Sequence, residues 1–127
     1  MTMHRYDAPA DLFHMARIAA TLVEDCGPCA LVAAEGAVRD GVDSELVNAA
    51  LKAEPPEGDL KTAFIFGAAI ARQSIEAFTI GDAIEEAYGR TVRLELAMTA
   101  ATVRAYPAMK RGLGLSKACS LTPLSVG

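Results

Sequence analysis

Tryptophan is absent from this chain of 127 residues, aromatic residues make up only 6% of it, and strand-like alternation of apolar and polar residues is scarce. The 52% hydrophobic fraction instead reflects abundant alanine, which favours helices that approach one another closely. An all-α fold is therefore expected. A long apolar run is also missing: the longest uncharged one, residues 62–71, is far shorter than the roughly 20 residues of a spanning helix. No membrane role is expected. With a net charge of −4, and Lys and Arg gathered only in residues 104–117, the nucleic-acid footprint of a basic face is missing as well. Arg5, Asp7 and Asp11 stand where a signal peptide would place its apolar segment, so export by that route is not expected. No repeat or low-complexity segment stands out, and the length fits a single domain over residues 1–127, able to bury a substantial core.

Cysteine is scarce too, at three residues, an odd number that does not suggest a disulfide-scaffolded secreted domain. A reducing, cytoplasmic compartment is expected. Two of the three lie in Glu24-Asp25-Cys26-Gly27-Pro28-Cys29, between two long apolar, helix-like segments. Proline is tolerated in a first helical turn, where its missing N–H would have no partner. Cys26 is thus expected near a helix N-cap and Cys29 inside the first turn. A thiol there meets the positive end of the helix dipole and unpaired N–H groups, which favour the thiolate. Its neighbour three residues away can attack a sulfenic acid or mixed disulfide formed on it. Glu24 and Asp25 oppose the thiolate unless one accepts its proton, and Glu24 is the preferred candidate base. Two other readings compete. A structural metal site needs four ligands, but only Cys119, His4 and His14 remain to add, none at ligand spacing,. The pair can also be two buried, inert thiols.

The string Cys-Gly-Pro-Cys is shared with thioredoxins, whose motif follows a buried β-strand. Here Leu12, Met15, Ala16, Ala19, Leu22 and Val23 precede it, recurring at intervals of three and four, which reads as a helix. A helix, the CxxC pair, and then residues 30–46 with Asp40-Gly41-Val42-Asp43-Ser44-Glu45-Leu46 together resemble the alkylhydroperoxidase D-like (AhpD-like) branch of the carboxymuconolactone decarboxylase family. Tyr106-Pro107-Ala108-Met109-Lys110-Arg111-Gly112-Leu113-Gly114 is similar to a terminal run of one subgroup, and the resemblance covers most of residues 10–115. It implies an all-helical domain built on an αα-hairpin with CxxC at a helix start. It also implies that Cys29 reacts with peroxide while Cys26 closes the disulfide. The family's peroxidases carry Glu twelve residues before the first cysteine and His four after the second, where this chain has His14 and Ala33. Twelve residues of straight helix rise roughly 18 Å, so His14 reaches the thiols only through a bend or a neighbouring helix.

Along the chain, Asp11 is a candidate cap for a helix running to about Val23, and a second helix is expected to end near Gly41. A third is expected from Asp43 to about Ala53. Residues 54–59, with Pro55, Pro56 and Gly58, form a break. Residues 62–71 are apolar nearly all round, predicting a helix enclosed on every side and, in a small domain, a homo-oligomer; the resemblance implies a trimer or hexamer. Residues 74–88 read as a helix interrupted near Gly81-Asp82. Residues 90–109 read as the longest helix, kinked or ended by Pro107, with Arg104 either an exposed stem or a buried partner for an acid. Cys119 falls in a terminal tail, as an unpaired thiol, a third redox thiol or an intersubunit contact.

By resemblance, the expected function is a thiol-dependent peroxidase or related dithiol–disulfide oxidoreductase. Its substrate is a hydroperoxide, its reductant a lipoylated or thioredoxin-like protein, and neither cofactor nor metal is implied. The alternative is an inactive or redox-sensing helical member acting as an interaction or scaffold protein, favoured by the missing Glu and His. A lactone decarboxylase, which uses no cysteine pair in that family, is the weakest reading.

Overall fold

Pro9 occupies the cap position of the first helix, with Phe13 N donating to its carbonyl at 3.0 Å. The expected cap, Asp11, lies inside the first turn and accepts from Leu12 N at 2.8 Å instead. Glu95 substitutes for a local cap from far along the chain: its buried carboxylate takes the N–H groups of Asp7 and Ala8, each at 2.8 Å. The structure, a computed structural model, describes residues 7–114. Its regular elements there are all helical: α1 (Ala10–Val23), α2 (Gly27–Arg39), α3 (Ser44–Leu51), α4 (Asp59–Ala71), α5 (Glu76–Tyr88), α6 (Arg90–Thr102) and α7 (Ala105–Gly112). None of the described helices is long and apolar enough to cross a membrane. His4 and Cys119 lie outside the described residues.

Within one chain the enclosed helix is α1, whereas the segment of residues 62–71 keeps part of its surface open. Every residue from Leu12 to Thr21 is buried, and α1 packs against α2, α3, α4 and α6. In α4, by contrast, Ile65 is 40% exposed while Ala63, Phe66, Gly67 and Ala68 are buried. The enclosure of α1 is not evident from spacing, because α1 takes polar side chains into its interface with α2. His14 pairs with Asp40 at the end of α2, and the Arg17 guanidinium lies over Gly36. The closest backbone approach in the core is between α1 and α4. A Cβ added at Gly67 would sit 2.1 Å from the carbonyl oxygen of Ala16, so only hydrogen fits.

Helix ends follow the turn chemistry. α2 closes with Gly41 at φ +93° and bonds from Gly41 N to Val38 O and Val42 N to Ala37 O, the two bonds of a Schellman motif. α3 begins where expected, Asp43 accepting from Glu45 N at 2.8 Å. It ends at Leu51 rather than near Ala53, because Ala53 turns left-handed at φ +60° and Glu54 N bonds back to Ala49 O. α5 runs uninterrupted through Gly81-Asp82. Gly81 is buried against the Arg93 side chain of α6, and Asp82 accepts from Arg93 Nη1 at 2.7 Å. The segment of residues 90–109 is two helices. The break at Val103-Arg104 lets α7 restart so that Pro107 falls in its first turn, where a missing N–H costs nothing,.

Candidate active site

Only Glu24, Asp25 and Cys26 separate α1 from α2. Glu24 closes α1, Asp25 takes the left-handed conformation at φ +55°, and Cys26 is extended (φ −123°, ψ 98°) as the N-cap of α2. Aspartate is one of the few side chains that tolerate a left-handed backbone. Gly27 and Pro28 begin the helix, and Ala30 N donates to Cys26 O at 2.9 Å to close the first turn. That turn brings the cysteine Cα atoms to 5.2 Å, and the sulfurs are joined as a disulfide. The two ends differ: Cys26 is 4% exposed, whereas Cys29 is half-buried.

Cys29 opens onto a cavity of about 310 Å³. Arg17 and Thr21 of α1 line it, as do Val32 and Ala33 of α2, Val103 of the break, and Tyr106, Pro107 and Lys110 of α7. Thr21 Oγ1 donates to Arg17 O at 2.8 Å. Arg17 is only 7% exposed, and its pKa is lowered by burial and then by the charge of Arg39. The Lys110 ammonium lies 5.5 Å from the centre of the Tyr106 ring, a cation–π distance. Positive charge therefore lines the thiol pocket from two helices, adding to the dipole of α2. Among the described residues, no three His, Cys, Asp or Glu side chains converge as metal ligands.

Glu24 is held in place by α7 and the break before it. Arg104 Nε donates to Oε2 and Arg111 Nη2 to Oε1, each at 2.8 Å, and Arg111 Nη1 reaches the Glu24 carbonyl at 3.3 Å. Arg104 is thus a partner for a buried acid, the second of the roles open to it. Burial pushes the Glu24 pKa up, but the hydrogen bonds and charges of Arg111 and Arg104 outweigh that and leave it lowered. A carboxylate so committed is a weak base, and its evident work is to fasten α7 over the cysteine turn. Its folded pKa lies below the unfolded value of about 4.3, so its contribution is complete above that pH and vanishes as pH falls through the folded value. Glu24→Gln is expected to lower stability at pH 7 by about 1.5 kcal/mol, a figure discounted for the exposure of Arg111. Thermal melts from pH 7 to pH 3 should show the wild-type and variant curves converging. A gap that stays constant with pH would rule the ion pairs out as its source.

The sequence-predicted residues Cys26, Cys29 and Glu24 occupy one turn. His14 stands elsewhere, buried, with Nε2 2.9 Å from Asp40 Oδ2. Asp40 caps the opposite end of α2 from Cys29, about 16 Å away by helix rise. Arg17, Thr21 and Lys110 were not singled out from the sequence. The available signal was Arg17 itself, the one fixed charge in residues 12–23, a stretch whose spacing places it on the helix. Comparison with protein-family models, curated proteins and solved structures finds no match to this chain.

Proposed function

We propose that this chain is a thiol-dependent peroxidase, or a related dithiol–disulfide oxidoreductase, of the alkylhydroperoxidase D-like kind. The observation that carries the reading is the disulfide between Cys26 and Cys29, with one sulfur buried at the helix cap and the other at the wall of a cationic pocket. The reachable thiolate, Cys29, attacks the terminal oxygen of a hydroperoxide. The O–O bond breaks, the alcohol departs with a proton from water, and Cys29 becomes a sulfenic acid. The Cys26 thiol displaces water from it, forming the disulfide. An external dithiol, on a lipoylated or thioredoxin-like protein, then attacks Cys29 sulfur and releases Cys26; its second thiol resolves the mixed disulfide. Helix dipole, Arg17 and Lys110 favour the thiolate, and its proton goes to solvent rather than to a Glu–His relay. No cofactor or metal takes part, and the cycle suits the cytoplasm, where dithiol reductants are kept reduced.

Mixing reduced protein with an alkyl hydroperoxide tests this. Loss of the Cys26 and Cys29 thiols together, matched by peroxide consumed, is expected. Reaction no faster than that of free cysteine sinks the enzyme and favours the second reading, a redox-sensing helical protein, for which His14 at the far end of α2 and Ala33 beside Cys29 speak.

The active form in this reading is a homo-oligomer, a trimer or hexamer by resemblance. Its support is apolar surface that one chain leaves open, with Ile75 79%, Phe78 69%, Leu94 55% and Met98 46% exposed on or beside α5 and α6. Patches of this kind mark association surfaces. Sedimentation equilibrium should return a multiple of 13.3 kDa, and a monomer at micromolar concentration would exclude it.

A further inference from the structure

We propose that the exposed apolar stripe of α7 beside the Cys29 cavity is the docking face for an acidic protein that carries the reducing dithiol; this deepens the dithiol reading and rests on it. By helical periodicity Tyr106, Met109 and Leu113 fall within about 60° of one another around α7, and all three are exposed. Arg111 lies on the far side of the helix, where it holds Glu24, so the clamp that fastens α7 also turns its apolar side outward. The stripe starts at the cavity, where Tyr106 and Lys110 form the wall together with Val32 of α2, itself exposed, and it runs on to Leu113. A small dithiol touches only its first residue, whereas a protein surface covers its length. A second copy of this chain seated there would close the route to Cys29 that the reductive half of the cycle needs, and the apolar surface of α5 and α6 offers copies a contact elsewhere. The charge of the partner follows from the sequence. All 16 Asp and Glu side chains stand at or before Glu95, and beyond it come Arg104, Lys110, Arg111 and Lys117, so the part of the chain that bears the stripe is basic. Glu24 offsets part of the charge of Arg104 and Arg111, and Asp25, exposed in the cysteine turn, offsets more; Lys110 remains beside the cavity. A carboxylate-rich rim on the donor complements this face, and such rims act mainly on encounter rate and orientation. Once docked, a donor thiolate attacks Cys29 Sγ and the Cys26–Cys29 bond breaks, Cys26 leaving as a thiolate that takes up a proton given up by the donor. The donor's second thiolate then attacks the donor sulfur of the mixed disulfide and expels Cys29, so two electrons pass to the pair and the donor leaves as its own disulfide.

Dithiol peptides read this preference without any peroxide. Two synthetic peptides share a reduced Cys-Gly-Pro-Cys core and flanking leucines, and differ only in carrying glutamates or lysines. Each is mixed with the oxidised protein, and the freed Cys26 and Cys29 thiols are trapped and counted by mass spectrometry. Each rate is divided by the same peptide's rate with hydroxyethyl disulfide, a neutral disulfide, which removes the effect of the flanks on the peptide thiols themselves. The corrected rate is expected to be about fivefold higher for the glutamate peptide at low salt, the scale of one screened charge contact, and to approach that of the lysine peptide at high salt. Lys110→Glu should bring the two rates together or reverse them. In Leu113→Asp, the glutamate peptide's rate relative to dithiothreitol should fall about fivefold, because the small dithiol does not reach that far along α7. Equal corrected rates in the wild type overturn the acidic donor, and an unchanged peptide-to-dithiothreitol ratio in Leu113→Asp overturns the stripe as its seat. A shift of Leu113→Asp to a smaller species in sedimentation equilibrium assigns the stripe to a second copy and overturns it as well. Discrimination between the peptides without hydroperoxide consumption upholds the face and sinks the peroxidase, and consumption without discrimination does the reverse.

Discussion

Cys29→Ser is expected to reduce hydroperoxide consumption by about 10³-fold or more, the scale set by removing a nucleophile on which the whole cycle depends. Serine keeps the size and the helix start but cannot ionise near neutrality, so the dipole and cations around it have no anion to stabilise. Cys26→Ser should stop turnover as well, but differently. Cys29 still attacks once, no thiol follows, and a sulfenic acid accumulates that further peroxide drives to the sulfinic acid. Intact-mass analysis after one equivalent of peroxide separates the two variants: one added oxygen in Cys26→Ser, none in Cys29→Ser. The expectation for that order rests on the asymmetry of burial, 4% exposure for Cys26 against a half-buried Cys29 facing the cavity. The reverse pattern would make Cys26 the attacking sulfur and remove the case for the pocket as the substrate site.

Gly67→Ala should destabilise the fold by about 2 kcal/mol, although alanine is the better helix former by about 1 kcal/mol. The added methyl would lie 2.1 Å from Ala16 O and 2.7 Å from Ala16 C and Cα. These are backbone atoms, so no rotamer change relieves the clash and α1 must move away from α4. Because α1 also packs on α2, α3 and α6, the displacement is resisted on every side. A drop in Tm of roughly 8 °C is expected for a domain of this size. Gly112→Ala, whose Cβ would meet nothing within 4 Å, is the control and should change Tm little. Should Gly67→Ala melt at or above the wild type, the close crossing of α1 and α4 is not a feature of the folded protein.

Local signals carried far in this chain. Gly-Pro between two cysteines placed Cys26 at the cap and Cys29 in the first turn of α2, because proline fits few other helical positions,. Gly41 and the two prolines of residues 54–59 marked element ends for similarly local reasons. What escaped were effects of partners distant in sequence. Gly81 reads as a breaker until Arg93 is laid against it. Asp11 reads as a cap until Glu95, from α6, takes the N–H groups ahead of α1. Pro107 reads as a kink in one helix, whereas the chain gains more by ending α6 early and giving proline a first turn of its own. Arg17 escaped for the same reason. Its burial depends on a glycine of the next helix leaving room for its guanidinium, and no periodicity within α1 reports that. Glu24 was noticed for its nearness to the thiols, and only the fold shows its carboxylate occupied by two arginines of the C-terminal region.

The clamp on Glu24 ties that residue to partners 80 and 87 positions later in the chain. During synthesis, therefore, the cysteine turn leaves the ribosome long before Tyr106, Pro107 and Lys110 have been polymerised. Until α7 forms, the two thiols stand on a bare hairpin, without the floor that Tyr106, Pro107 and Lys110 provide. The cavity beside Cys29 is completed last, when α7 folds back onto the turn between α1 and α2.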